Sequence, residues 1–521
     1  MAVDSTAATV TRGSRVAALL LAGAALLFYV PYLGWLPRGI HEWAQADRLA
    51  LALSFYDFGF DLWHPRTFSV QSADGVTGVE FPLYSYLASL LGIVFGREGI
   101  SPAFRLLTLA TAAAGCYCAF RLVYDLTGKF ALSLLPAAFL LSSPAFVYYS
   151  GNYLPDAAGA SLVLVGIYVL VRAVRAQPAG VRGMILGILV LTVATLVKLS
   201  AGLYLGGAVV GLGLYLLQHR LRYGARHWLA LAASALGSGA CIIGYLLYTR
   251  YLNAAYNSTL FLAAPRPIDS PATAAFIWAR IQQVWWPEYF SLPASLVLGA
   301  AVGLLAWKSR RGGWRRYHPL VGAAMTVVVG GLAFFALMGK QFIDHDYYAL
   351  APYAPLLTLV VAGAAYVADR QQWQWSGVAA GVGVVVLLAI GWHRHTQRMQ
   401  EPYGNFSNYY SYHWMVNADA ALARARVPAR AQVLVLGEDA PNLALVYLNR
   451  RGITWKSDLA TVTETELLNR MQQKKLHYLI LSQRNMRVFG PAHPDLLRTF
   501  RLVYATPNFV VYQPRTLPAP W

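Results

Sequence analysis

The chain has 521 residues, of which 57% are hydrophobic and only 12% charged, with a mean hydropathy of +0.45. A soluble globular protein carries roughly 25% charged residues, so half the usual solvated surface is missing and a water-soluble globule is excluded. The net charge of +19 would suit a nucleic-acid partner, but the basic residues form short clusters between apolar runs, which reports orientation in a lipid bilayer and no nucleic acid.

After a polar start with Arg12 and Arg15, the first apolar run, 16–36, is too long for a signal-peptide core. It reads as a retained anchor helix with a cytoplasmic N-terminus. A polar and aromatic first outer loop follows, about 38–101. Within it 43–58 reads as an amphipathic helix on the membrane surface. The stretch 82–95 reads as a short helix at the outer interface, because a full crossing there would invert every later basic cluster. Spans near 102–123, 130–149 and 155–172 lead to Arg172, Arg175 and Arg182. Spans near 183–198 and 201–217 end at Arg220, Arg222 and Arg226. The span near 228–249 opens onto a second outer loop, about 250–290, and the span near 291–307 returns to Lys308, Arg310, Arg311, Arg315 and Arg316. Spans near 319–338, 349–367 and 375–392 bring the count to about eleven, with all basic clusters on one, cytoplasmic, side. Cys116, Cys118 and Cys241 lie inside apolar runs and read as packing residues.

After residue 392 the composition changes. Strand-like runs at 433–436 and 478–481 alternate with a helical segment at 465–473, which predicts a small α/β domain. Parity places it outside the cytoplasm. The fold class is therefore a mainly α-helical polytopic membrane protein, 1–395, with a small extracytoplasmic α/β domain, 396–521. A bacterial inner membrane is the expected location. Asn257-Ser258-Thr259 and Asn405-Phe406-Ser407 match glycosylation acceptors, a pattern common by chance.

Ionisable residues in or beside spans are expensive and are read as functional candidates. Here they gather at the outer ends of spans. The first loop opens His41-Glu42-Trp43-Ala44-Gln45-Ala46-Asp47-Arg48 and later holds Gly78-Val79-Glu80-Phe81-Pro82-Leu83-Tyr84. Asp47 and Glu80 each have an ordinary alternative, as a solvated or a helix-starting carboxylate. Asp156 ends Tyr153-Leu154-Pro155-Asp156 at the mouth of the fourth span, where Pro followed by an acid also starts a helix. Lys198 interrupts an apolar run, with snorkelling to the interface as its alternative. Lys340 begins a loop through Asp344-His345-Asp346-Tyr347-Tyr348; adjacent residues of an Asp-His-Asp run do not easily all face one metal ion.

Trp43-Ala44-Gln45-Ala46-Asp47, Glu80-Phe81-Pro82-Leu83-Tyr84, Tyr153-Leu154-Pro155-Asp156 and His345-Asp346-Tyr347-Tyr348, in this order and on one side, resemble the GT-C glycosyltransferases. Within them the resemblance is to the aminoarabinose-transferase and protein O-mannosyltransferase-like branch. It covers roughly 10–395 in topology and only these short segments in sequence. It implies a donor of polyprenyl-phosphate-sugar type, an acceptor hydroxyl on a lipid, glycan or protein, and inverting single displacement with Asp47 as base. Glu80 and Asp156 would line the site, with a divalent metal between them as an open option and no other cofactor implied. Glu42, Gln45, Arg48, Tyr84, Tyr153, Asp346, Tyr347 and Tyr348 would line the substrate cavity. Where aminoarabinose transferases have a Lys after the acid, this chain has Phe81. The substitutes for that phosphate-binding cation are Lys198, Lys340, Arg266 and His345. A carboxylate in reach of the hydroxyl would take its proton, and a cation would offset the charge on the leaving phosphate.

The rival function is a transporter or flippase of a lipid-linked glycan. Transporters place their charges near the bilayer midplane, often in repeated halves; these acids sit at span mouths and no halves match. A non-catalytic scaffold would leave the first-loop acids without a role.

Overall fold

The computed structural model describes residues 2–515 apart from 177–179, 262–263, 312–317, 372–375 and 405–410, with side chains described from Arg12 onward. Arg315 and Arg316 of the basic cluster, and the Asn405-Phe406-Ser407 acceptor, lie outside the described residues. The chain divides into two compact units. The first takes Met1–Leu33, Arg105–Leu247 and Ala263–Gln400; the second takes Gly34–Phe104, Tyr248–Leu262 and Glu401–Trp521. The second unit thus takes in Gly34–Phe104 and Tyr248–Leu262 beside the C-terminal chain, for which composition gives a domain at 396–521. All of the first outer loop, about 38–101, and the start of the second belong with the C-terminal chain. Composition registers apolar runs, whereas these units are set by long-range contacts.

The expected spans lie largely in helix among the described residues, with one broken. Among the described residues nine helices are long and apolar enough to cross a membrane, from Arg12–Tyr32 to Ser376–Met399. The segment Val181–Val197 is apolar but shorter, and Leu83–Phe95 is the expected short helix of the first loop. The run 130–149, expected as one span, is broken. Helices Phe130–Leu141 and Pro144–Ser150 meet at an angle of 82°. The cause is local: Pro144 disfavours helical backbone at Ser143, and the Ser143 hydroxyl accepts the Phe146 N–H to start a new helix.

In the first unit, Asp156–Arg175, Val181–Val197 and Gly202–Gln218 share a core of Val163, Leu170, Ile188, Leu191, Tyr204 and Leu212. Gly166 lets the first two helices approach: a Cβ there would lie 2.8 Å from the Leu191 side chain. Small residues at such contacts gain packing that lipid cannot supply. By contrast, only 11% of the apolar window is buried in Ala225–Ala255, Leu292–Arg310 and His318–Ile343. Their remaining apolar surface suits a bilayer. Of the cysteines, Cys116 and Cys118 are buried and Cys241 is exposed, all three as free thiols. The second outer loop is not irregular throughout; it contains helix Pro271–Arg280 and a π-helical turn, Ile281–Trp285.

The second unit has a five-stranded sheet: β1 (Val433–Leu436), β2 (Gly452–Trp455), β3 (Tyr478–Ser482), β4 (Phe500–Ala505) and β5 (Phe509–Pro514), in the order β2-β1-β3-β5-β4. The β1 pairings with β2 and β3 are parallel; β5 is antiparallel to both its neighbours. The expected helix runs Glu464–Gln473 and starts with a capping box of Thr463 and Glu466. Beyond β2 the first-loop chain adds backbone bonds: Val70 N–H donates to the Gly452 carbonyl over 2.8 Å, and Gly452 N–H to the Phe68 carbonyl over 3.1 Å. Gly452 thus lies between two backbones, and a Cβ would run into the Val433 carbonyl.

Candidate active site

In the second unit, His41 takes a left-handed conformation, φ 55°, and turns the chain into helix Glu42–Phe58. The expected surface helix is present but more enclosed than one with a wet face. Glu42, Gln45, Ala46, Asp47 and every residue from Leu49 to Phe55 are buried. Gln45 is held by its side-chain N–H bonds to the Arg38 and Ile40 carbonyls, 3.0 and 2.8 Å. Asp47 is 8% exposed. Its Oδ1 accepts a 2.8 Å hydrogen bond from Nδ2 of Asn442. Burial pushes the Asp47 carboxyl up to about 7, against the Asn442 bond and the charge of Arg48.

Arg48 points elsewhere with its guanidinium, which pairs with Glu80 at 2.6 Å. The Ser85 hydroxyl donates to the Arg48 carbonyl over 3.1 Å, and so ties Leu83–Phe95, the helix that carries buried Tyr84, to the Asp47 helix. Glu42 is 2% exposed, and its Oε1 accepts from the Ser411 N–H at 2.5 Å and the Ser411 hydroxyl at 2.8 Å. Burial pushes Glu42 up to about 8, with the Ser411 bonds opposing and the negative charges of Glu401 and Glu438 adding to the rise.

In the first unit, Asp156 opens helix Asp156–Arg175 directly after Pro155 and is 1% exposed. It starts the helix, as its ordinary reading has it, and it also forms a buried ion pair with Lys198, 3.1 Å. Lys198 is only 12% exposed in its side chain. It leaves the helix in extended backbone, φ −147°, and its Nζ lies 5.3 and 5.8 Å from the ring centres of Tyr348 and Tyr347. Gly159 makes room for its stem, as a Cβ there would lie 2.9 Å from the Lys198 Cβ.

The other substitutes for the missing cation have different surroundings. Lys340 pairs with exposed Asp269, Arg266 is exposed with its carbonyl bound to the Lys340 N–H, and His345 Nδ1 lies 3.1 Å from the Gln341 carbonyl. Asp346 is fully buried. It pairs with Arg398 and accepts the Tyr149 hydroxyl at 2.8 Å, while the Tyr289 hydroxyl donates to its carbonyl at 2.9 Å. Arg398 also pairs with buried Glu288. Tyr153 is 1% exposed, with the Arg105 guanidinium 4.5 Å from its ring centre.

Asn442, Arg398, Glu288 and Arg105 were not singled out from the sequence. Arg398 and Arg105 sit at the ends of apolar runs, a signal that could have found them. Asn442 lies in an ordinary polar stretch and carries no such signal. A metal fits the described residues poorly: Glu80 and Asp156 each already hold a cationic side chain, Asp344 is exposed while Asp346 is fully buried against Arg398, and no group of three His, Cys, Asp or Glu side chains among the described residues is arranged to hold an ion.

No protein-family model matches the chain, and a search of curated proteins gives no match. Solved structures do. The chain is similar to the aminoarabinose transferase ArnT of Cupriavidus metallidurans bound to undecaprenyl phosphate, with TM-score 0.58 and 13% identity over 96% of this chain and 99% of that one. It is also similar to the Archaeoglobus fulgidus oligosaccharyltransferase in complex with zinc and sulfate, TM-score 0.54 and 11% identity over 96% and 73%. The apo form of that enzyme gives TM-score 0.53 and 12% identity over 98% and 75%. At these identities the likeness is one of fold, and the fold is the one expected from the resemblance to GT-C glycosyltransferases.

Proposed function

We propose that this protein is a membrane glycosyltransferase that moves a sugar from a polyprenyl-phosphate donor to an acceptor hydroxyl, with Asp47 as general base. The observation that carries the proposal is the state of Asp47: a buried carboxylate, gripped through one oxygen, whose proton affinity lies near neutral pH. A base with a pKa near the working pH combines a large ionised fraction with strong proton affinity. The shared fold with an aminoarabinose transferase bound to undecaprenyl phosphate supports the donor class.

The reaction balances as a single displacement. The acceptor oxygen forms a bond to sugar C1 as its proton passes to Asp47. The C1–O bond to phosphate breaks with its electron pair, leaving a polyprenyl phosphate and a sugar of inverted configuration. Arg48, fixed by Glu80, is the charge that favours ionised Asp47. Lys198, held by Asp156 beside Tyr347 and Tyr348, is the cation assigned to the donor phosphate, because Lys340 and Arg266 are far more exposed. Asp346, with Arg398, orders the chain that carries those two tyrosines. The acceptor hydroxyl belongs to a lipid, a glycan or a protein. The basic clusters support an extracytoplasmic position for Asp47 and the C-terminal chain, in what we propose is a bacterial inner membrane.

The decisive experiment is Asp47→Asn in the full-length protein. It is assayed with a panel of undecaprenyl-phosphate-linked hexoses and pentoses, radiolabelled in the sugar, against membrane lipid and glycan extracts. The variant should fold and still bind undecaprenyl phosphate but lose at least a hundredfold of transfer, the range typical of a positioned base. Undiminished transfer would remove Asp47 from the role.

A further inference from the structure

Asn442 holds an N-cap position, before helix Leu443–Leu448, yet its side chain makes no cap bond there. Asparagine at such a position ordinarily turns back onto its own helix. Here the amide is fully buried and engaged at both ends by residues of the first loop. Its Oδ1 accepts the Ser69 N–H at 3.0 Å, and its Nδ2 donates to Asp47 Oδ1 at 2.8 Å. The first bond fixes the second. A backbone N–H can only donate, so the amide oxygen must face Ser69 and the NH2 group must face Asp47. Ser69 is itself held in place, because its neighbours Phe68 and Val70 bond to Gly452 at the sheet edge.

We infer that Asn442 is a positioning residue for the transfer reaction: the C-terminal chain reaches into the first loop, holds one oxygen of Asp47 and leaves Oδ2 to take the acceptor proton. The inference rests on Asp47 being the base. Three consequences follow from the geometry. The carboxylate cannot rotate freely, so its proton-accepting oxygen is presented in one orientation. A donor on Oδ1 stabilises the ionised form, the one that works as a base. The α/β chain is part of the catalytic apparatus, since it supplies a side chain no first-loop residue replaces. The charged groups that bear on Asp47 are Arg48, which acts through its charge, and Glu80, which holds Arg48.

The test compares wild type, Asn442→Ala and Asp47→Asn as full-length proteins in lipid nanodiscs. Asp47 is titrated directly by infrared difference spectroscopy against Asp47→Asn, a measurement that needs no substrate. Transfer from the radiolabelled undecaprenyl-phosphate sugar panel is followed from pH 5 to 9. In Asn442→Ala the Asp47 titration and the rising limb of kcat/KM should both move to higher pH by about one unit. Transfer at pH 7 should fall roughly fivefold through kcat, with KM little changed. A purely structural role would lower the melting temperature and leave both titrations in place, and that result overturns the inference. If Asn442→Ala does not fold, Asn442→Ser retains a shorter donor and is expected to give a smaller shift in the same direction; an unshifted profile there also overturns it. Full transfer by Asp47→Asn would instead overturn the assignment of the base, whatever the Asn442 variants do.

Discussion

At the scale of single residues, proton affinity does most of the work in the second unit. Burial lifts Asp47 to about 7 and Glu42 to about 8, against an ordinary carboxylate value near 4. Between those limits the folded unit binds protons that the unfolded chain has released. The stabilisation from the protonated forms is therefore complete below about pH 4 and is lost as pH rises to 7 and 8. Activity should run the other way and climb through pH 7 as Asp47 ionises. Calorimetry from pH 5 to 8 should show the melting temperature of the second unit falling, and Glu42→Gln should flatten that fall. In the first unit the sensitive pair is Asp156 and Lys198. Lys198→Met leaves a carboxylate stranded away from water and should cost about 3 kcal/mol, read as a lower melting temperature in detergent. Asp156→Asn combined with Lys198→Met should restore most of the loss but none of the transfer activity. Asp47, Glu80, Asp156 and Lys198 were legible in the sequence because ionisable groups beside apolar runs stand out. Asn442 was not, because its importance comes from a partner 395 positions away.

At the scale of elements, the broken span is the clearest departure from a plain run of crossings. Apolarity along 130–149 is continuous, so hydropathy alone reads one helix; the Ser142-Ser143-Pro144 sequence holds the break, and it is legible once capping is considered. The bend brings the chain against helix Ser376–Met399, where a methyl on Gly391 would run into the Leu141 carbonyl and approach the Ser142 Cα at 3.2 Å. Gly391→Ala should therefore destabilise the first unit by about 1–3 kcal/mol despite its better helix propensity. Gly381→Ala in the same helix is the control: its nearest neighbour is the Ala131 Cβ at 4.0 Å, and it should be neutral or stabilising. Thermal unfolding of the two variants in one detergent makes the comparison. The helix positions could be read from periodicity and length, since each apolar run needs only its own residues to declare itself. The buried Arg398 links to Glu288 and Asp346 could not, because they join the end of one helix to segments 110 and 52 positions earlier.

At the scale of the molecule, the second unit is a composite of three stretches of chain, and the one that carries Asp47 is braced by Glu401–Trp521. Tyr447 donates to the Pro37 carbonyl at 2.9 Å, Arg451 pairs with Asp74 at 3.1 Å, and Lys474 donates to the Gln71 carbonyl at 2.8 Å. Deleting residues 401–521 should strip residues 34–104 of protection in hydrogen exchange and expose them to protease, while the helices of the first unit stay protected. Intact protection of 34–104 in the truncated protein would contradict the bracing. The same bonds between Phe68, Val70 and Gly452 impose an order in time. Translation proceeds at about 5–20 residues per second, so the first loop waits on the order of half a minute after it is made before Asn442 and β2 exist. Until then the nascent chain carries an unfinished edge and an unheld carboxylate. A chain stopped before Asn442 is expected to form its apolar helices without the bond to Asp47, which becomes available only once residues 442–455 have been made.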